Sequence, residues 1–285
     1  MIYLILAFCS SALISIIMRL GEGRIRNNIS LLSVNYLVCI LLSLVYSAGS
    51  GSLLVPPDAG SVAIVLGIIS GIFYFGSFLL YQINIHRNGV VMSSAFMKLG
   101  VLVPTMIAIA VFGERPAPGQ IAGICLAIAA ILMINLSQDG EDENRTVTSP
   151  RALILLLLAG GLGDAMSKFY EELGRPEYSS QYLLYTFIVA FVFCTAVALI
   201  RGQKFTAPDI LYGCLVGIPN YYSARFLLLS LSSVPAVIAY PVFSVGTIII
   251  TSIAGVIFFR EKMNAKQWAA LGIVVLAMIL LNTAD

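Results

Sequence analysis

Apolar residues fill this chain in blocks about twenty residues long, separated by short stretches that are polar or rich in turn formers. The blocks lack the period-two alternation of a half-buried strand or of an outer-membrane barrel. A hydrocarbon slab of ~30 Å is crossed by ~20 helical residues, and in lipid every backbone group must find its partner within the segment. The pattern therefore predicts helices over residues 2–20, 29–48, 61–85, 89–112 and 119–136, then 151–170, 181–200, 210–231, 235–259 and 265–283. Between the two sets lies the one long polar run, Ser137 to Pro150 (SQDGEDENRTVTSP), which has almost nothing to bury and reads as a solvated linker. The organisation expected is a first unit of five helices over 1–137, a linker over 138–150 and a second unit of five over 151–285. Because five is odd, the second set enters the bilayer upside down relative to the first.

Composition agrees. Hydrophobic residues make up 59% and charged residues 11%, against roughly 25% charged in a soluble domain, and the mean hydropathy is +0.97. The fold class is all-α integral membrane. Residues 2–20 carry no basic segment before them and read as a retained helix, not a cleaved signal. The basic residues stand singly between spans, so no patch that could track nucleic acid is present. All five cysteines lie inside apolar blocks without a CxxC pair, and read as small hydrophobes with no metal or disulfide role. His86, the one histidine, sits in a turn before Arg87-Asn88-Gly89.

The two sets of helices repeat one another. Phe112–Asn135 falls on Phe259–Asn282 at a constant shift of 147 residues, with Phe, Glu, Gln, Ala and Asn coinciding. Gly67 and Gly71 meet Gly213 and Gly217 at a shift of 146, giving both third helices a small-residue face, and Tyr74 meets Tyr221 at 147. Arg19 and Glu22 fall on Lys168 and Glu171 at 149. Two five-helix copies, each closing with a Glu-containing turn and a Gln-x-x-Gly/Ala helix start, resemble the EamA family of the drug/metabolite transporter superfamily. The residues concerned are Glu114, Gln120 and Gly123, then Glu261, Gln267 and Ala270. Ala270 departs from the family's Gly, and Thr251 stands opposite Pro104. The resemblance implies a secondary transporter that moves small metabolites or amino acids out of a bacterial cytoplasm, in the plasma membrane.

The chemistry is sought among charges the bilayer would exclude, each costing roughly 2.5–3.5 kcal/mol at the centre of a span. Lys98 lies near the middle of the fourth predicted helix. Arg225 lies well inside the eighth, beside Asn220, Tyr221 and Tyr222 and six residues after Pro219, whose missing donor loosens a helix. Asp164 and Lys168 stand four apart with the acid first, the order that favours an ion pair; Asp164 is either that lysine's structural partner or a carboxylate that exchanges a proton during transport. Tyr240, beside Pro241, offers an uncharged hydrogen bond. Arg19 is interfacial, Glu114 and Glu261 set turn geometry, and Glu171-Glu172 reads as a solvated helix end.

Lys98, Asp164, Lys168, Asn220, Tyr221, Arg225 and Tyr240 thus form the expected substrate pathway. Three deep cations against one acid favour a solute with a carboxylate or phosphate, such as an amino acid, an organic acid or a sugar phosphate. No GxSxG, HExxH or intramembrane acidic doublet is present, so an enzyme is not expected, and no cofactor or metal is implied. The function expected is export of a small anionic or zwitterionic, amino-acid-like metabolite by alternating access, as a monomer or homodimer, with protons as the candidate coupling ion. A flippase for a lipid-linked substrate and a receptor or scaffold on the same fold are the alternatives. Basic loop residues favour placing both termini outside, whereas the resembled family is drawn with both inside.

Overall fold

In the computed structural model, residues 1–49, 61–136, 149–260 and 265–282 are described. Glu261, the segment between the second and third predicted helices that holds Pro56-Pro57, and all but the last two residues of the polar stretch 137–150 lie outside them. Regular structure in the described residues is all helical: α1 (Ile2–Leu20), α2 (Asn28–Gly49), α3 (Ser61–Asn88), α4 (Val90–Leu99), α5 (Leu102–Ala110), α6 (Pro118–Leu136), α7 (Pro150–Leu173), α8 (Ser179–Ile200), α9 (Ala207–Leu231), α10 (Ala236–Phe258) and α11 (Ala265–Asn282), with one 3₁₀ turn at Pro176–Tyr178. Among the described residues, seven stretches are both long and apolar enough to cross a membrane: α1, α2, α3, α4 with α5, α7, α8 and α10; the described parts of α6 and α11 are shorter apolar helices. The outward faces are greasy, as lipid requires: on α8 alone Val192, Phe193, Leu199 and Ile200 are exposed. Although α9 is longer than most of these, it is too polar to be counted among them.

Two helices differ from the expectation. The fourth predicted helix is two, α4 and α5, interrupted at Gly100-Val101. Pro104 has no N–H for the Gly100 carbonyl, which accepts from the Val103 amide instead at 3.0 Å, so the turn tightens toward 3₁₀ geometry. Pro219 does not have this effect: α9 runs unbroken through it.

The chain forms two compact units, and neither is one sequence half. The first contains residues 1–75 and 166–232; the second contains 76–165 and 233–285. In the first, α2 packs against α8 and α9, and α1 against α9. The glycine pairs dictate how closely. A Cβ on Gly213 would lie 2.7 Å from the Leu31 carbonyl oxygen and from Val34 Cβ, and one on Gly217 2.6 Å from Val38 Cβ and 2.8 Å from the Asn35 oxygen. On α3, a Cβ on Gly67 would lie 2.7 Å from Tyr185 Cβ and 2.9 Å from the Tyr182 oxygen, and one on Gly71 2.5 Å from the Thr186 oxygen and 2.7 Å from Val189 Cβ. Leu31, Val34, Asn35 and Val38 each stand 151 residues before Tyr182, Tyr185, Thr186 and Val189. The third helix of each copy therefore docks, through matched glycines, on matched residues of the second helix of the other copy.

In the second unit α6 packs along α11, and α10 contacts α5, α6 and α11, around Ala127, Ala130, Val245, Val274 and Ala277. The α4–α5 break rests on α7: a Cβ on Gly161 would meet the Gly100 carbonyl and lie 2.5 Å from Val103 Cβ.

Candidate functional site

The expected pathway residues divide between the units, and their surroundings sort them. In the first unit α9 carries Asn220, Tyr221 and Arg225. The Asn220 amide donates to Asn35 Oδ1 (3.1 Å) and lies 3.7 Å from Cys39 Sγ, which itself donates to the Gly217 carbonyl. Asn220 is thereby spent on the α2–α9 seam. Arg225 is held differently. Its Nη1 donates to Ser180 Oγ (2.9 Å) and to the hydroxyl of fully buried Tyr221 (3.1 Å), and the guanidinium lies 3.9 Å above the centre of the Tyr46 ring. Tyr46 stacks on Tyr221, and the Tyr46 and Tyr222 hydroxyls are 3.2 Å apart. Arg225 is half-buried, and among the described residues no carboxylate pairs with it. A cation fixed by two hydroxyls and a ring face, with donors left over, can receive an anion.

Lys168 has the opposite character. It is 4% exposed, and its ammonium is 2.8 Å from Glu171 and 2.6 Å from Glu172. The expected pairing of Lys168 with Asp164 is replaced by this pair of acids, one turn further along α7, and the doublet read as a solvated helix end is the counter-charge of a buried lysine. Arg19 pairs with Glu22 at the same three-residue spacing in the exposed last turn of α1, as the repeat matching suggests.

In the second unit Lys98 lies in the last turn of α4, just before the break, and Asp164 lies on α7 three residues after Gly161. Both side chains are half-buried. Neither is joined to the other, or to another described residue, by a hydrogen bond or close ion pair. Tyr240, 1% exposed on α10, donates its hydroxyl to the Asp164 backbone carbonyl at 2.9 Å and so holds that turn of α7. Glu114 sets α10 in turn: its carboxylate accepts from the amides of Ala236 (3.0 Å) and Val237 (2.8 Å), the first residues of that helix. Glu114→Ala is expected to cost about 1 kcal/mol, read as a lower melting temperature of the detergent-purified protein, with Glu114→Gln retaining part of the loss.

Two contributors escaped the sequence reading. Tyr46 and Ser180 stand 179 and 45 residues from Arg225, and no spacing rule joins them; a tyrosine near a span end reads first as a headgroup anchor. The spacing of Lys168 to Glu171 and Glu172 was readable, since three and four residues share a helix face.

Comparison with known proteins matches this architecture. An uncharacterized protein of Haemophilus influenzae is 19% identical over 199 residues, 69% of this chain and 67% of its own. A protein of known crystal structure superimposes with a TM-score of 0.77 over 99% of this chain and 96% of its own, at 11% identity, a likeness of fold alone. The model of the EamA-like transporter family matches twice, over residues 1–136 and 151–283, which leaves out the polar stretch and little else. With greasy helices on either side of that stretch and the family pattern repeated in both halves, this multi-pass membrane protein belongs to the EamA-like transporter family.

Proposed function

We propose that the protein is a secondary-active exporter of a small, carboxylate-bearing metabolite, anionic or zwitterionic, working by alternating access in a bacterial plasma membrane. The observation that carries this is Arg225. A guanidinium inside a membrane helix costs several kcal/mol unless compensated, and Tyr46 returns only about 0.5–2 kcal/mol. The bidentate geometry that remains open suits a carboxylate.

The residues 1–137 and 151–285 act as the two copies, inverted because each holds five spans, with α9 counted as one. The reciprocal docking of Gly67 and Gly71 on α8, and of Gly213 and Gly217 on α2, supports a two-fold relation between copies. Exchange between states facing opposite sides then needs only modest repacking of matched contacts. The proton gradient is the energy source to test.

The experiment is uptake and efflux in reconstituted vesicles against a panel of anionic and zwitterionic metabolites, with and without a pH gradient. Arg225→Gln is expected to lose at least roughly tenfold in transport, as loss of a charged hydrogen bond does, while Arg225→Lys keeps the charge but not the fork and recovers only part. Full activity in Arg225→Gln would overturn the reading.

A further inference from the structure

Taking the transport of small carboxylate-bearing solutes as given, we infer that a cavity beside Arg225 holds the body of the solute, and that Glu171 in its wall limits transport to short solutes carrying a single negative charge. The first unit contains a cavity of about 110 Å³ between the end of α7, the start of α8 and the end of α9, with Tyr170, Glu171, Ser179, Leu228 and Ser232 in its lining. It adjoins the place where the guanidinium is anchored. Ser179 precedes Ser180, which holds Arg225 Nη1, while Leu228 and Ser232 stand three and seven residues after Arg225 on one face of α9. Helical side chains lean toward the N-terminus, here toward Arg225. Both Nη1 hydrogens are spent on Ser180 and Tyr221, which leaves the Nε and Nη2 edge, a fork for a carboxylate, with no partner among the described residues.

Charge decides what can follow the carboxylate. Glu171 and Glu172 set two acids against the one ammonium of Lys168, so these three side chains keep one negative charge. Of the two acids Glu171 lines the cavity. It is half-buried; its Oε2 accepts from Lys168 at 2.8 Å, and its Oε1 has no partner among the described residues. A second carboxylate or a phosphate in the cavity would face that oxygen, and like charges brought together away from bulk water repel strongly. A hydroxyl or an amide can donate to it instead. Volume sets the second limit: a cavity of roughly 150 Å³ holds benzene, so this smaller one admits about four or five heavy atoms beyond the carboxylate.

The test uses the full chain in proteoliposomes at neutral pH and solutes matched in length: malonate and succinate, each against its own monoamide, then straight-chain ω-hydroxy acids of increasing length. Wild-type protein is expected to move each monoamide at least roughly tenfold faster than its diacid, and the hydroxy-acid rate should fall once the chain outgrows the cavity. Glu171→Gln should narrow the gap to the diacids while Lys168 keeps Glu172. Glu172→Gln removes the same charge from outside the cavity and should keep the gap. Should Glu171→Gln fail to insert, Ser179→Leu, which fills the cavity and leaves every charge in place, should shorten the longest hydroxy acid carried; an unchanged length limit would overturn the cavity's role. Equal rates for monoamide and diacid on wild type, the same narrowing in both glutamate variants, or neither monoamide moved while another carboxylate-bearing solute is, would overturn the inference and leave the transporter reading standing. No transport of any carboxylate-bearing solute would overturn both.

Discussion

Gly217→Leu is expected to leave no recoverable folded protein, and Gly71→Leu the same. At each position even a Cβ would approach a carbonyl oxygen or a neighbouring Cβ to 2.8 Å or less, on a helix whose backbone cannot yield locally. The alanine variants make the sharper test. In a helix Gly→Ala is intrinsically favourable by about 1 kcal/mol, so a surface glycine gains. Here overpacking should dominate, at about 1–3 kcal/mol of net loss. Gly76 and Gly160, helical glycines with open space where a Cβ would stand, are the controls and should not lose stability. Thermal melting of the four alanine variants in one detergent decides it: equal behaviour of all four would show that the close approach at α2–α9 and α3–α8 does not hold the first unit together.

The second large effect is at Asp209. Its carboxylate is wholly buried and accepts from the Arg26 amide (2.9 Å), the Asn27 amide (3.2 Å), the Thr206 amide (3.2 Å) and the Thr206 hydroxyl (2.6 Å). One group thus closes the capping box of α9 and ties down the chain entering α2. Asp209→Ala should cost about 3 kcal/mol, since it leaves buried donors unanswered. Burial pushes this carboxyl up, but the Thr206 hydroxyl and the three amides outweigh it and hold it below the ordinary carboxylate range. A depressed folded value means the contribution is complete above the unfolded carboxyl's value and is lost as pH falls through the folded one. The melting-temperature gap between wild type and Asp209→Asn should be widest near neutral pH and close in acid; a gap constant down to acid pH would remove the carboxylate from the explanation.

The apolar blocks made the helices legible, because lipid imposes one rule on every residue of a span. Gly67, Gly71, Gly213 and Gly217 were legible as a matched pair of faces, although their partners were not, since a helix face does not name what it meets. The interruption at Gly100 was hidden behind uniform hydrophobicity, and only Pro104 hinted at it. In the candidate site, sequence ranked charges by depth and could not count their partners. Lys168 and Lys98 look alike in the chain, and Glu171 with Glu172 separates them. Arg225 needed Tyr46 and Ser180, brought in from other helices, before its character could be seen.

The polarity of α9 bears on how the molecule is assembled in time. A segment with Asn220, two tyrosines and Arg225 at its centre gains little by leaving the translocation channel for lipid alone. Its apolar bargain improves once Gly213 and Gly217 can seat on α2, a helix synthesised about 180 residues earlier. Nascent α9 is thus expected to linger at the channel until α2 is there to receive it, and a chain lacking α2 should strand this one segment outside the bilayer while its neighbours α8 and α10 insert on schedule.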